Sequence, residues 1–157
     1  MRAIALSLIG LVLAGSLAAE QKPVKPELAD RIGDLAGALA GGNALLFLRQ
    51  VDRQMPGYED LRQNVRELIS VGEVESSVKP LWQEEDGSRV TIRAEWSMLI
   101  RIGPPRPTGD LSQRRAVQNG EMVERKEMVT LVLEKRGRKW RFVDLKPLTL
   151  FAAPLAK

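Results

Sequence analysis

The sequence predicts an α+β fold in which three N-terminal helices pack on a curled antiparallel sheet of about four strands. Three observations carry that expectation. Apolar residues recur at helical spacing from Leu28 to Leu68, the period changes to two from Val74 onward, and Asp86-Gly87 and Gly137 fall between strand-like runs where hairpin turns belong. A hydrophobic share of 44% with 28% charged residues over 157 positions suits one compact domain.

The first segment has the order of a targeting signal. Met1 and Arg2 give a short positive start, Ala3 to Ala14 is an uncharged run interrupted by Ser7 and Gly10, and Ser16-Leu17-Ala18 fits a small-x-small cleavage pattern. Residues 1–18 therefore read as a signal peptide, with a periplasmic or secreted protein as the consequence and no stable membrane span after cleavage. An uncleaved anchor is the alternative, although the run is short of the roughly 20 residues that cross a bilayer. Residues 19–25 read as a flexible lead-in and residues 26–153 as the folded domain.

Pro26 suits the first position of a helix that carries Leu28, Ile32, Leu35 and Leu39, and Gly41-Gly42 can close it in left-handed geometry. Asn43 is a natural N-cap for a second helix. Its stripe of Ala44, Phe47, Leu48, Val51 and Met55 runs to the stop at Pro56-Gly57. Tyr58, Leu61, Val65 and Leu68 define a third helix, with Gly72 as its stop.

Val74, Ser76, Val78, Pro80 and Trp82 share one face of the first strand. Pro80 has no N–H to give, so this strand belongs at a sheet edge or carries a bulge. Val90, Ile92, Ala94, Trp96, Met98, Ile100 and Ile102 form the apolar face of the second strand, opposite Thr91, Arg93, Glu95, Ser97 and Arg101. Gly103 to Gly120 is a long loop, either a lid or partner-binding segment or a tolerated surface insertion. A third strand over Met122 to Lys135 groups Val129, Leu131 and Leu133, and a fourth runs from Trp140 through Phe142 to about Phe151. Leu35, Phe47, Leu48, Val51, Leu61, Val65, Leu68, Ile92, Trp96, Leu131 and Trp140 are the expected core. A sheet curled over helices leaves a cone-shaped space between the layers.

With no His and no Cys, the chain has no Ser/His/Asp triad, no Cys nucleophile, no disulfides and no zinc site of the usual kind, and no metal or cofactor is expected. Removing residues 1–18 leaves 23 basic against 20 acidic side chains. That mild excess is no nucleic-acid signature, and Lys135-Arg136-Gly137-Arg138-Lys139 with Arg141 reads as a solvated hairpin turn rather than a phosphate-binding patch.

Taken in order, these elements resemble the nuclear transport factor 2-like (NTF2-like) superfamily, the cone-shaped α+β fold of the SnoaL and ketosteroid isomerase relatives. The resemblance covers about residues 26 to 153. It rests on Gly41-Gly42-Asn43 before Phe47-Leu48 and Asp52, on Glu95-Trp96, and on Gly137-Arg138-Lys139-Trp140-Arg141-Phe142 leading to Leu145-Lys146-Pro147. It implies a superfamily of isomerases, dehydratases and hydrolases of small apolar substrates beside binding, scaffolding and secreted members, so fold does not fix function. Catalytic relatives generally use an Asp and often a His facing the cone, and this chain has no His. The ketosteroid isomerase set of an Asp base with Tyr and protonated-acid donors, a worked case of carboxyl tuning, has no counterpart that can be placed here.

Four side chains are the expected ligand-binding set: Tyr58, Trp96, Met98 and Glu127. Tyr58 is either a helix-packing aromatic or a hydroxyl donor at the cone, and Trp96 and Met98 are core residues that would also line a cavity. No catalytic residue is assigned; Glu127 and Asp52 are the candidates. Glu127 shares a face with Val129, Leu131 and Leu133, where an apolar setting would raise its pKa, unless Arg125 or the strand's exposed end keeps it solvated. Asp52 is either a site acid near the mouth of the cone or an exposed helix acid paired with Arg49. The expected function is a non-enzymatic exported module that binds a small apolar ligand in its cone or a protein on its sheet, with a homodimer through the polar sheet face as an allied expectation. The alternative is a small lyase, isomerase or hydrolase using one carboxylate as general acid and base.

Overall fold

The computed structural model of the chain describes residues 21–103 and 120–154. The expected signal segment at 1–18 and residues 104–119 of the long loop lie outside them.

Helix α1 (Pro26–Ala40) buries Leu28, Ile32, Leu35 and Leu39 and is closed by Gly42 at φ 65°, whose N–H donates to the Leu39 carbonyl at 3.0 Å. Asn43 then caps α2 (Ala44–Gln50), its side-chain oxygen accepting the Leu46 N–H at 2.9 Å. This helix is shorter than its apolar stripe predicts. Val51 turns extended and bridges Phe142 in parallel, and the Asp52 N–H donates to the Phe142 carbonyl at 2.8 Å. A tertiary strand-like pairing thus overrides the helical period, while Val51 and Met55 stay buried. Helix α3 (Tyr58–Ser70) starts from Gly57 at φ 76° and buries Leu61, Val65 and Leu68.

Strands β1 (Gly72–Asp86), β2 (Arg89–Ile102), β3 (Met122–Arg136) and β4 (Lys139–Lys146) form one antiparallel meander in the order β1-β2-β3-β4. Gly72 is not the helix stop but the first residue of β1. A Cβ there would lie 1.8 Å from the Arg101 carbonyl oxygen, so the close crossing of the two strands requires glycine. Pro80 sits on an edge strand and beside a bulge, since Pro80 pairs with Ala94 and Trp82 with Arg93, leaving Leu81 unpaired. The extra residue reverses the side-chain alternation. Trp82 therefore moves to the outer face with Arg93, contrary to its expected place beside Val74, and Gln83 turns inward, 1% exposed.

Gln83 gives the lead-in a fixed position. Its backbone exchanges hydrogen bonds with Lys22 at 2.8 and 2.9 Å, its side-chain oxygen accepts the Lys25 N–H at 2.8 Å, and Lys25 is ion-paired with Glu85. Residues 22–25 are thus tied to the β1 edge rather than a loose lead-in, and the pairing covers a strand edge that would otherwise be open.

The last strand ends at Lys146, short of the expected Phe151. Pro147 offers no N–H to the ladder, and the chain continues as a 3-10 turn, Leu148–Phe151. That turn carries Phe151 under the sheet. Its ring meets Trp96 edge-on at 5.0 Å between centroids and tilts against Phe47 at 5.6 Å, all three fully buried. The Trp96 N–H donates to the Ser76 hydroxyl at 2.9 Å. Arg125 holds the turn in place by donating to the Leu150 carbonyl at 2.7 Å and to the Ala152 carbonyl. Trp140, expected in the core, is half-buried at its edge beneath the Lys135 ammonium at 5.6 Å, because it lies at the hairpin end of β4, two residues beyond buried Phe142 on the same face. On the outer face, Arg93 donates to Thr130 at 2.7 Å and Glu95 pairs with Lys126 at 3.1 Å, a cross-strand polar ladder.

Replacing Phe151 by Ala opens a cavity between Trp96 and Phe47 and should cost roughly 3 to 5 kcal/mol in denaturant unfolding; a loss below about 1 kcal/mol would show that this ring does not fill the core. Two glycines give opposite expectations. Gly72→Ala should destabilise by about 3 kcal/mol or more because the methyl group meets backbone. Gly33→Ala, on the exposed face of α1 with nothing within 4 Å of the added carbon, should stabilise by roughly 0.5 to 1 kcal/mol.

Candidate functional site

Beside the cone, α2, α3 and the β3-β4 hairpin converge on an open cleft of about 1110 Å³. Each wall adds cations. Arg49 and Arg53 come from the end of α2 and the segment after it, Arg62 and Arg66 from α3, and Arg136, Lys139 and Arg141 from the hairpin. Leu45, Leu48, Val51 and Tyr58 supply the apolar part of the lining. On α3, Tyr58, Arg62 and Arg66 are spaced by four residues and so share one face.

Two carboxylates, Asp52 and Glu59, enter the cleft, and both are already engaged. Glu59 pairs with Arg62 at 2.6 Å. Asp52 is 9% exposed; one of its oxygens accepts the Gln54 N–H at 2.8 Å and the other pairs with Arg136 at 2.5 Å. The Gln54 hydrogen bond, followed by the Arg136 charge, holds the Asp52 carboxyl below its ordinary pKa against the opposing effect of burial. Arg136 also donates to Glu134 at 3.0 Å, and Glu134 accepts from Arg89 at 2.8 Å. Arg89, Glu134, Arg136 and Asp52 thus form one chain that fixes the hairpin to the segment after α2. The Arg141 guanidinium adds a second tie, donating to the Arg49 carbonyl at 2.8 Å.

Of the candidate ligand-binding and catalytic residues, the fold brings Asp52 and Tyr58 to this cleft. Trp96 and Met98 are sealed in the core, where Phe151 and Phe47 occupy the space against the Trp96 face. Glu127 is exposed on β3, two residues before the buried stretch begins at Val129. Asp52 is neither an exposed acid nor a partner of Arg49, as the helical spacing suggested; the helix ends before it, and its partner is Arg136. Among the described residues no group of three His, Cys, Asp or Glu side chains is placed to hold a metal ion, and no helix is long and apolar enough to cross a membrane.

The cations of the cleft come from three separate segments, so in the sequence only the hairpin group stands out as a cluster. One signal was present. Like charges four residues apart, as in Arg62 and Arg66, disfavour an isolated helix, and such a pair asks for a reason outside the helix. The hairpin cluster read as a solvated turn does turn out from the sheet, but Arg136, Lys139 and Arg141 also form one wall of the cleft.

No protein-family model matches the chain, and no curated protein matches it. Solved structures do share its fold. An NTF2-like superfamily protein from Salmonella enterica serovar Typhimurium aligns over 76% of this chain and 85% of its own length, with a TM-score of 0.56 at 13% identity. A protein of unknown function with a cystatin-like fold from Nostoc punctiforme aligns over 79% and 91% respectively, with a TM-score of 0.54 at 10% identity. A candidate dehydratase of the NTF2-like family from Streptomyces avermitilis aligns over 76% and 90%, with a TM-score of 0.53 at 13% identity. The chain has the NTF2-like fold, with three helices followed by a four-stranded curled antiparallel sheet. Identities this low carry the fold and leave function to the site.

The depressed Asp52 pKa has a definite sign in stability. A carboxyl whose folded pKa lies below its unfolded value stabilises the fold above the unfolded value, and the contribution disappears as pH falls through the folded one. Asp52→Asn should therefore lower stability by about 1 kcal/mol near neutrality, a modest figure because Arg136 is half-exposed. Thermal melts from neutral to acid pH should show the two proteins converging below the ordinary aspartate range. A difference that persists at acid pH would assign the loss to something other than the ionised pair.

Proposed function

We propose that the protein is an exported, non-enzymatic binding module of NTF2-like fold whose ligand is anionic and occupies the basic cleft. The observation that carries this reading is the concentration of charge. The chain has 24 basic and 20 acidic residues, and seven of the basic side chains line the cleft beside two acidic ones. Outside the cleft the described residues carry twelve basic and sixteen acidic side chains, so the positive charge of the described fold is concentrated at this site. Clefts lined by one sign of charge focus the field and raise the local concentration of opposite charge. Six of the seven cations are Arg, whose planar fork matches carboxylate and phosphate oxygens in a bidentate manner. Among the described residues, no ion pair to a carboxylate engages Arg49, Arg53, Arg66, Lys139 or Arg141.

Binding without chemistry accounts for the acids. An effective general base works with a pKa near the operating pH, whereas Asp52 is held below its ordinary value and is committed to Arg136 and Gln54. The packed core supports the same reading, since Phe151 occupies the space against Trp96 that an apolar ligand in the cone would need. Export rests on the order of residues 1–18.

Inorganic pyrophosphate is a suitable probe. Calorimetric titration at low ionic strength should show binding that weakens as salt rises through about 0.15 M. Arg66→Ser and Lys139→Ser should each weaken it by about tenfold, the scale of one charge-assisted hydrogen bond. Lys79→Ser, on exposed β1 away from the cleft, should leave it unchanged. Absence of binding, or an equal loss in the Lys79 variant, would refute a specific anion site.

A further inference from the structure

Anion binding leaves one feature of the cleft unexplained. Leu45 lines it while 61% exposed, and its neighbour Leu46 on the first turn of α2 is 48% exposed. Single exposed leucines are ordinary on protein surfaces. Leu45 stands in the lining of a strongly basic concavity, where half-buried Tyr58 adds ring surface and the core residues Leu48 and Val51, 6% and 1% exposed, complete the apolar part. A ligand that was only an anion would leave the Leu45 side chain in water next to the cations that hold it.

We propose that the ligand is an amphiphilic anion: a single-chain molecule with an oxyanion head and an aliphatic tail. The proposal rests on the anion-binding reading above and specifies its ligand. Arg66, Lys139 and Arg141 supply donors for the head. The tail lies along Leu45 and the Tyr58 ring. The two halves of the lining therefore match the two halves of one molecule. A cleft of about 1110 Å³ is at the upper end of the range that encloses small-molecule ligands, large enough for a head and a chain together. The concavity favours a dispersed single chain over a bilayer, because a flat lipid surface would meet Leu45 and Leu46 but could not line the cleft behind them.

A homologous series of alkyl phosphates separates head from tail. Butyl, octyl and decyl phosphate, each titrated below its aggregation concentration, share one anionic head and differ in apolar length. In the wild-type protein, affinity should rise by at least about tenfold from butyl to decyl, well within what several partly covered methylenes contribute. Leu45→Ser should flatten that rise to less than about threefold, and folding is not at issue because the side chain is largely exposed. Arg66→Ser should weaken every member of the series by a similar factor and preserve the dependence on length. An affinity independent of chain length in the wild type would overturn the amphiphile while leaving the anion site standing. If neither pyrophosphate nor any alkyl phosphate binds, the anion reading falls as well. Sedimentation with phosphatidylglycerol vesicles, in a protein that ignores monomeric decyl phosphate, would overturn the proposal in favour of a membrane surface.

Discussion

The position of Phe151 governs much of what this fold can do. A sheet curled over three helices has an interior that something must fill, and here a ring from the final 3-10 turn fills it, edge-on to Trp96 and tilted against Phe47. Close-packed interiors hold few voids larger than a water molecule, so an aromatic ring in that place converts a pocket into core. The ring reaches its place because Pro147 ends the β4 ladder and Arg125 gathers the carbonyls of Leu150 and Ala152. With that space filled, the cleft beside it is a concave surface that the described residues leave open. The same wedge supports that cleft, since Phe47 belongs to α2, which carries Leu45, Leu48 and Arg49 into the lining.

A second constraint is electrostatic. Seven cations around one cleft repel one another, and the fold offsets part of that repulsion with the cleft acids Asp52 and Glu59 and, behind Arg136, with Glu134. Asp52 spans the gap between the segment after α2 and the hairpin through its carboxylate and its backbone N–H, which donates to Phe142. Glu134 divides itself between Arg89 and Arg136, and this pairing, led by the Arg89 hydrogen bond, holds its own carboxyl below the ordinary range. Arg136 is thereby fixed in place while other cations of the cleft remain available to a ligand. Asp52 and Glu134 thus position Arg136 in the charged wall of the cleft.

Local rules were sufficient for most of the architecture. Pro26, Gly42 and Asn43 mark helix ends through backbone chemistry that needs no distant partner, and the period-two run from Val90 to Ile100 can bury only one face. Pro80 required an edge or a bulge, and β1 has both. What tertiary structure alone decided lies where residues far apart in sequence compete for the same backbone or the same space. Phe142 draws Val51 out of the helical stripe into a parallel bridge; the single extra residue at Leu81 moves Trp82 outward and Gln83 inward; Phe151 enters a cone that sequence spacing leaves empty. The cleft belongs to the same class. Each of its basic segments, read alone, is a solvated helix face or a turn, because charge is a property of single residues whereas a field depends on the distances between them. The sequence by itself determined the order of helices and strands and the apolar faces they bury. Only the folded chain brought Arg49, Arg66 and Arg141 together, since residues from three separate elements become neighbours only once those elements pack.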